Sequence, residues 1–132
     1  MFDHICTYAT DYPATKAFYE AAFSALGYSL QVEFVSKWNE DFPTQRRCGF
    51  GINGKPSFWV IETRESWTPR HLAFAAGSRR VVDEFYQATM AKGGVDNGKP
   101  GLRPSYHENY YGAFVIDPDG NNIEAVCHRP EQ

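Results

Sequence analysis

The stretch from His4 to Gly27, HICTYATDYPATKAFYEAAFSALG, decides the fold, because the stretch from His71 to Gly94, HLAFAAGSRRVVDEFYQATMAKGG, repeats it 67 residues later. His4 meets His71, Ala9 meets Ala76, Phe18 meets Phe85, Tyr19 meets Tyr86, Ala21 meets Ala88 and Gly27 meets Gly94. These are six identities in 24 positions, where background residue frequencies give roughly one or two. Ile5 with Leu72 and Glu20 with Gln87 add conservative pairs in the same register. The chain therefore reads as two copies of one structural module.

Each copy opens with a strand-like segment, FDHICTYA or RHLAFAA, in which alternate side chains share a face. His4 has Cys6 and Tyr8 as face-mates, and His71 has Ala73 and Ala75, small residues that leave room for a cavity. Asp11 and Ser78 then stand where a side-chain oxygen can accept from the free N–H groups of a helix start. Helices are expected over Tyr12 to Leu26 and Arg79 to Lys92, with Gly27 and Gly94 as their stops. Strands follow at Tyr28 to Val35, Cys48 to Ile52 and Ser57 to Thr63. In the second copy they are expected at Tyr110 to Ile116 and Asn122 to His128, flanking the turn Asp117-Pro118-Asp119-Gly120. The Gly- and Pro-rich piece between Gly94 and Asn109 signals its strand poorly and predicts a short one. Each module thus reads β-α-β-β-β, with module 1 at 1–66 and module 2 at 67–132 of a single domain.

Composition sets the outer limits. A chain of 132 residues can bury one ordinary hydrophobic core, and its 42% apolar and 22% charged residues are those of a folded protein rather than a disordered one. The net charge is -3 and basic residues cluster no further than pairs such as Arg46-Arg47 and Arg79-Arg80, so no stripe exists to neutralise a nucleic-acid backbone. Cys6, Cys48 and Cys127 are odd in number and far apart, which fits neither a disulfide framework nor a zinc finger. No apolar run approaches the roughly 18 residues that span a bilayer, and the N-terminus lacks a basic targeting region. The expected setting is the cytoplasm, with no membrane and no nucleic acid as partners.

A single histidine in a strand is ordinarily a buried, hydrogen-bonded residue. The equivalence of His4 and His71 in the repeat changes that, because two imidazoles related by a pseudo-twofold axis converge on a common partner, and a divalent metal satisfies both. First-row metals that accept imidazole commonly complete a facial set with a carboxylate. Glu124, in the apolar segment NNIEAV, is the candidate, since an inward carboxylate there is costly unless paired or metal-bound. Alternation puts it on one face with Asn122 and Val126, and leaves open whether that face is the inner one.

With the repeat, the paired histidines in DHICTYATD and RHLAFAA and the segment DPDGNNIEAV in hand, the sequence resembles the vicinal oxygen chelate superfamily: glyoxalase I, extradiol dioxygenases, fosfomycin-resistance transferases and bleomycin-resistance proteins. The resemblance covers nearly the whole chain. It implies an α+β fold in which two tandem βαβββ modules form an incomplete barrel around a shared cavity. It also implies one divalent metal ion (Fe, Mn, Zn or Ni) held by His4, His71 and Glu124. The family's fourth ligand position falls at Phe58 or Trp59, neither of which binds metal, while Glu62 sits further along the strand. That departure counts against glyoxalase I, whose carboxylate there acts as both ligand and base, and leaves a two-histidine, one-carboxylate set with open positions.

The implied function is that of a metal-dependent lyase, isomerase or dioxygenase acting on a small substrate that chelates the metal through adjacent oxygens. The cluster from Ser105 to Tyr111 supplies His107 and Tyr111 as candidate acid–base residues, and Trp59, Arg103 and Tyr106 are candidate substrate contacts. His128 is expected to be structural or exposed. The alternative is a metal-free small-molecule binding protein of the bleomycin-resistance type, and a third reading is a structural relative with unused histidines. A homodimer is expected by resemblance, with modules paired within one chain or exchanged so that His4 and the His71–Glu124 pair come from different subunits.

Overall fold

The computed structural model describes residues 2–66 and 69–130. The expected boundary between the modules, at 66 and 67, touches residues outside the described ones. Its elements are β1 (Ile5–Ala9), α1 (Tyr12–Leu26), β2 (Ser29–Val35), β3 (Arg46–Ile52) and β4 (Lys55–Glu62), then β5 (His71–Ala75), α2 (Arg79–Ala91), β6 (Val95–Leu102), β7 (Tyr111–Ile116) and β8 (Asn122–Cys127). The order β-α-β-β-β occurs twice, as the repeat requires. Each module forms its own four-stranded sheet, ordered β1-β4-β3-β2 and β5-β8-β7-β6. In each, the opening strand runs parallel to the last one and the remaining pairs are antiparallel. The two sheets do not close into one.

Local chemistry explains the ends of these elements. Asp11 Oδ1 accepts from Ala14 N at 3.2 Å, and Ser78 Oγ from Val81 N at 3.3 Å, so both helices start where the cap residues stand. Gly27 closes α1 in the left-handed conformation, at φ 90°. The end of α2 departs from expectation: Gly93 takes the left-handed conformation, and Gly94 is needed for space instead. A Cβ on Gly94 would lie 2.5 Å from Val115 Cγ1 and 2.7 Å from the carbonyl oxygen of Thr89. Strand β6 is also longer than expected, at eight residues. It lies at the sheet edge, where Pro100 has no ladder bond to break, and register shifts around Gly98 absorb the irregularity.

Both helices pack on the outer faces of their sheets and against each other. Phe18, Tyr19, Phe23, Phe50, Phe58 and Phe85 form the centre of the core. Phe74 of β5 sits 5.2 Å from the Phe23 ring and 5.6 Å from Phe58, so the second module contributes directly to the core of the first. The β7–β8 turn fastens the modules a second time. Asp119 accepts from Thr10 Oγ1 at 2.7 Å and Thr15 Oγ1 at 3.2 Å, and the buried Asp117 accepts from Tyr19 Oη at 2.6 Å. Burial, and then the charge of Asp117, hold the Tyr19 phenol well above its usual pKa, so it remains the donor.

Candidate metal and substrate site

The parallel pairing of β5 with β8 puts Ala73 opposite Glu124, and the β7–β8 hairpin puts Phe114 opposite Glu124. Glu124 therefore shares the open face of the second sheet with His71 and Gly112, opposite the helix. It is only 2% exposed. His71 Nδ1 lies 3.1 Å from the backbone oxygen of Asn122. A carbonyl only accepts, so Nδ1 carries a proton. In the neutral ring Nε2 then presents a lone pair, and it faces Glu124 Oε1 at 3.1 Å. Two acceptors at that separation need a proton between them, carried by Nε2 or by the carboxyl, or a metal ion.

The other oxygen of Glu124 accepts from Tyr110 Oη. Burial first, and then the hydrogen bond to Glu124 and its charge, push the Tyr110 phenol up to about 12, so at neutral pH it donates. A Cβ on Gly112 would come 3.2 Å from Tyr110 Cε1 and 3.4 Å from Glu124 Oε2. Glycine there leaves the space through which the phenol reaches the carboxylate. The chemistry of the donor set fits a divalent ion: an imidazole oriented through its far nitrogen, and a buried carboxylate oriented through its far oxygen.

The third expected ligand lies elsewhere in the chain. His4 precedes β1, is exposed, and has Nδ1 2.8 Å from Asp3 Oδ1. It borders cavities of about 230 and 460 Å³, neither of which includes His71 or Glu124. Among the described residues, no three His, Cys, Asp or Glu side chains converge within one chain. The fourth position becomes definite. Cys6 pairs with Trp59 as its repeat equivalent Ala73 pairs with Glu124, so Trp59 is the counterpart of Glu124 and Phe58 belongs to the core. Glu62 is taken up by Arg46, at 2.7 Å.

The remaining candidates divide between two faces. Tyr106 stacks edge-on against Tyr110, with centroids 4.9 Å apart. His107 Nδ1 accepts from the backbone N–H of Asn109, so its Nε2 donates to His128 Nδ1 at 2.7 Å. Both imidazole rings lie edge-on to Tyr110. Arg103 stands over Phe114 and donates to the backbone oxygen of Lys99 at 2.6 Å. Tyr111 points to the helix side, where Oη donates to Asp83 at 2.7 Å, away from Glu124. Tyr110, not the expected Tyr111, is the phenol on the face of Glu124. Parity marks it: counting alternate positions back from Phe114, across from Glu124, leads through Gly112 to Tyr110.

Over residues 1–125 the chain matches the family described as the Glyoxalase/Bleomycin resistance protein/Dioxygenase superfamily, and it belongs to that superfamily. A crystal structure of a glyoxalase/bleomycin resistance protein from Albidiferax ferrireducens T118 is 29% identical, with a TM-score of 0.73 over 98% of this chain and 99% of that one. Lactoylglutathione lyase from Agrobacterium tumefaciens is 20% identical, with a TM-score of 0.64 over 96% of this chain and 92% of that one. A glyoxalase I variant from Zea mays is 18% identical, with a TM-score of 0.70 over 95% of this chain but 46% of its own. The last two share the fold. No curated protein sequence matches the chain, and no described helix is long and apolar enough to cross a membrane.

Proposed function

We propose that the protein is a metal-dependent lyase, isomerase or dioxygenase whose small substrate offers two adjacent oxygens to one divalent ion held by His71, Glu124 and His4. The observation that carries this reading is the meeting of His71 Nε2 with the buried Glu124 Oε1 at 3.1 Å. Because His4 stands apart from that pair within its own chain, it is supplied by a second copy, and the working unit is a homodimer. When bound, the ion supplies Lewis acidity toward a substrate oxygen.

The chain's own residues prepare and serve that position. The Asn122 carbonyl keeps the proton on His71 Nδ1 and the lone pair on Nε2, and Tyr110 holds Glu124 in place through a proton that stays on Oη. His107 donates through Nε2 to His128 Nδ1, which leaves His128 Nε2 as the outer end of a two-histidine path beside Tyr110. His107 thus moves the substrate proton through His128, whose Nε2 is the end open to the substrate. Tyr106, Arg103 and Trp59 frame the substrate, and Trp59 stands in place of the carboxylate that a four-ligand site would have. Tyr111, tied to Asp83, supports α2 against β7.

One observation favours the metal-free binding reading: with a proton on His71 Nε2, both oxygens of Glu124 are already satisfied. Metal analysis of the protein purified without an affinity tag separates the two. The enzyme reading expects about one ion per chain, lost in both His71→Ala and Glu124→Ala. A wild-type protein without metal, or variants that keep it, would favour the binding protein.

A further inference from the structure

Strand β3 carries Arg47 on the same face as His4. It pairs with Ile61 of β4 and Phe34 of β2, and Gly49, two positions on, pairs with Trp59. Alternation therefore places Arg47, Phe34, Trp59 and Cys6 together, and they border the cavity of about 460 Å³ that also reaches His4. Arg46, one residue earlier, is neutralised by Glu62 on the other face. Arg47 is not. Its guanidinium lies against the Trp38 ring at 5.3 Å, and Nη2 reaches Gln45 Oε1 only at 3.4 Å. Nε is buried and has no acceptor. A buried donor without an acceptor is unfavourable, and a charged one more so.

Beside this cation lies a flat apolar floor. A Cβ on Gly49 would come within 3.2 Å of Trp59 Cε3 and Cζ3, so the glycine lets the indole lie against the sheet. Phe34 meets that indole edge-on, with centroids 5.9 Å apart. Lys55, the other Lys or Arg of the cavity, lies 3.4 Å from Asp3 and is exposed, so water solvates its ammonium. The buried donor without an acceptor belongs to Arg47, next to an aromatic surface. A guanidinium edge fits a carboxylate, and an indole face fits a planar ring.

We infer that the substrate is an aromatic carboxylate, with its ring on Trp59 and its carboxylate on Arg47. This rests on the proposed function, whose substrate class it names, since the face that carries Arg47 also carries His4. Arg47 hydrogen-bonds none of the proposed metal ligands, so it is a substrate-binding group separable from the metal.

The test is calorimetric titration of the full-length protein, as purified and after metal removal with a chelator, using 2-naphthoate, its neutral isostere 2-naphthamide, and non-planar cyclohexanecarboxylate. Wild type is expected to bind 2-naphthoate about tenfold or more tightly than either of the others, before and after chelation. Arg47→Met should erase the preference for naphthoate over naphthamide while the metal content stays at the wild-type level. Trp59→Ala should erase the preference over cyclohexanecarboxylate. If Arg47→Met does not fold, Arg47→Lys takes its place and should lower naphthoate affinity about threefold or more, because the ammonium does not reproduce the fork. Equal binding of naphthoate and naphthamide by wild type, or a preference that survives the Arg47 change, overturns the inference. Failure of the metal reading is seen separately, as absence of metal from wild type, and leaves the dependence on Arg47 to be read in the same titrations.

Discussion

At the scale of single residues, the arrangement turns on which atoms accept. Asn122 O fixes one nitrogen of His71, Tyr110 fixes one oxygen of Glu124, and the remaining nitrogen and oxygen face each other. Tyr110→Phe should therefore leave the fold intact and weaken metal binding by about 10- to 100-fold, as loss of an outer hydrogen bond to a ligand does. Competition against a chelator measures this, and an unchanged affinity would remove Tyr110 from the account. The sequence made Glu124 conspicuous as a carboxylate in an apolar strand, but could not say which face was inner. That depends on strand pairing, and a one-residue difference in parity separates Tyr110 on the open face from Tyr111 on the helix side. Arg47 was hidden for the same reason, since its neighbour Arg46 has the same chemistry and a partner.

At the scale of elements, the capped helices and the β7–β8 hairpin were legible because their signals are local. Asp11 and Ser78 cap where they stand, and the turn Asp117-Pro118-Asp119-Gly120 joins β7 to β8 with Gly120 N–H donating to Asp117 O. The end of α2 and the length of β6 were not, because both are set by packing against β7 rather than by the residues themselves. Gly94→Ala should accordingly cost about 1–3 kcal/mol in chemical denaturation, since the backbone oxygen of Thr89 cannot move aside. A stability equal to wild type would contradict the close approach. The strands also carry two carboxylates held below the ordinary range: Glu33, chiefly by the Tyr12 hydroxyl and then Lys16, and Glu62, chiefly by Arg46. For a depressed carboxylate the stabilisation is present above its unfolded value, near 4.5, and is lost as pH falls through the lower folded value. Thermal melts should show stability falling below about pH 4.5, with a shallower fall in Glu62→Gln. An identical slope in that variant would count against the ion pair with Arg46.

At the scale of the whole molecule, the repeat announced two modules, and two modules are present. What joins them was not legible, because Asp117 and Asp119 read only as turn formers. In the fold their carboxylates hold Tyr19, Thr10 and Thr15 of the other module. The same long-range arrangement decides where His4 goes. Equivalence in the repeat led to the expectation of two converging imidazoles, yet one chain keeps His4 apart from His71 and Glu124, and the proposed site is completed by a second copy.

Whether the site is shared between copies is read from co-expression of His4→Ala with Glu124→Ala, through the metal bound per chain. Each variant alone has no complete site, whereas a mixed dimer regains one, because one copy still supplies His4 and the other Glu124. A shared site gives about one ion per chain in wild type, none in either variant alone, and about a quarter of the wild-type content in a random mixture of the two. A mixture that stays empty beside a metal-bearing wild type, or a wild type that carries no metal, would contradict it.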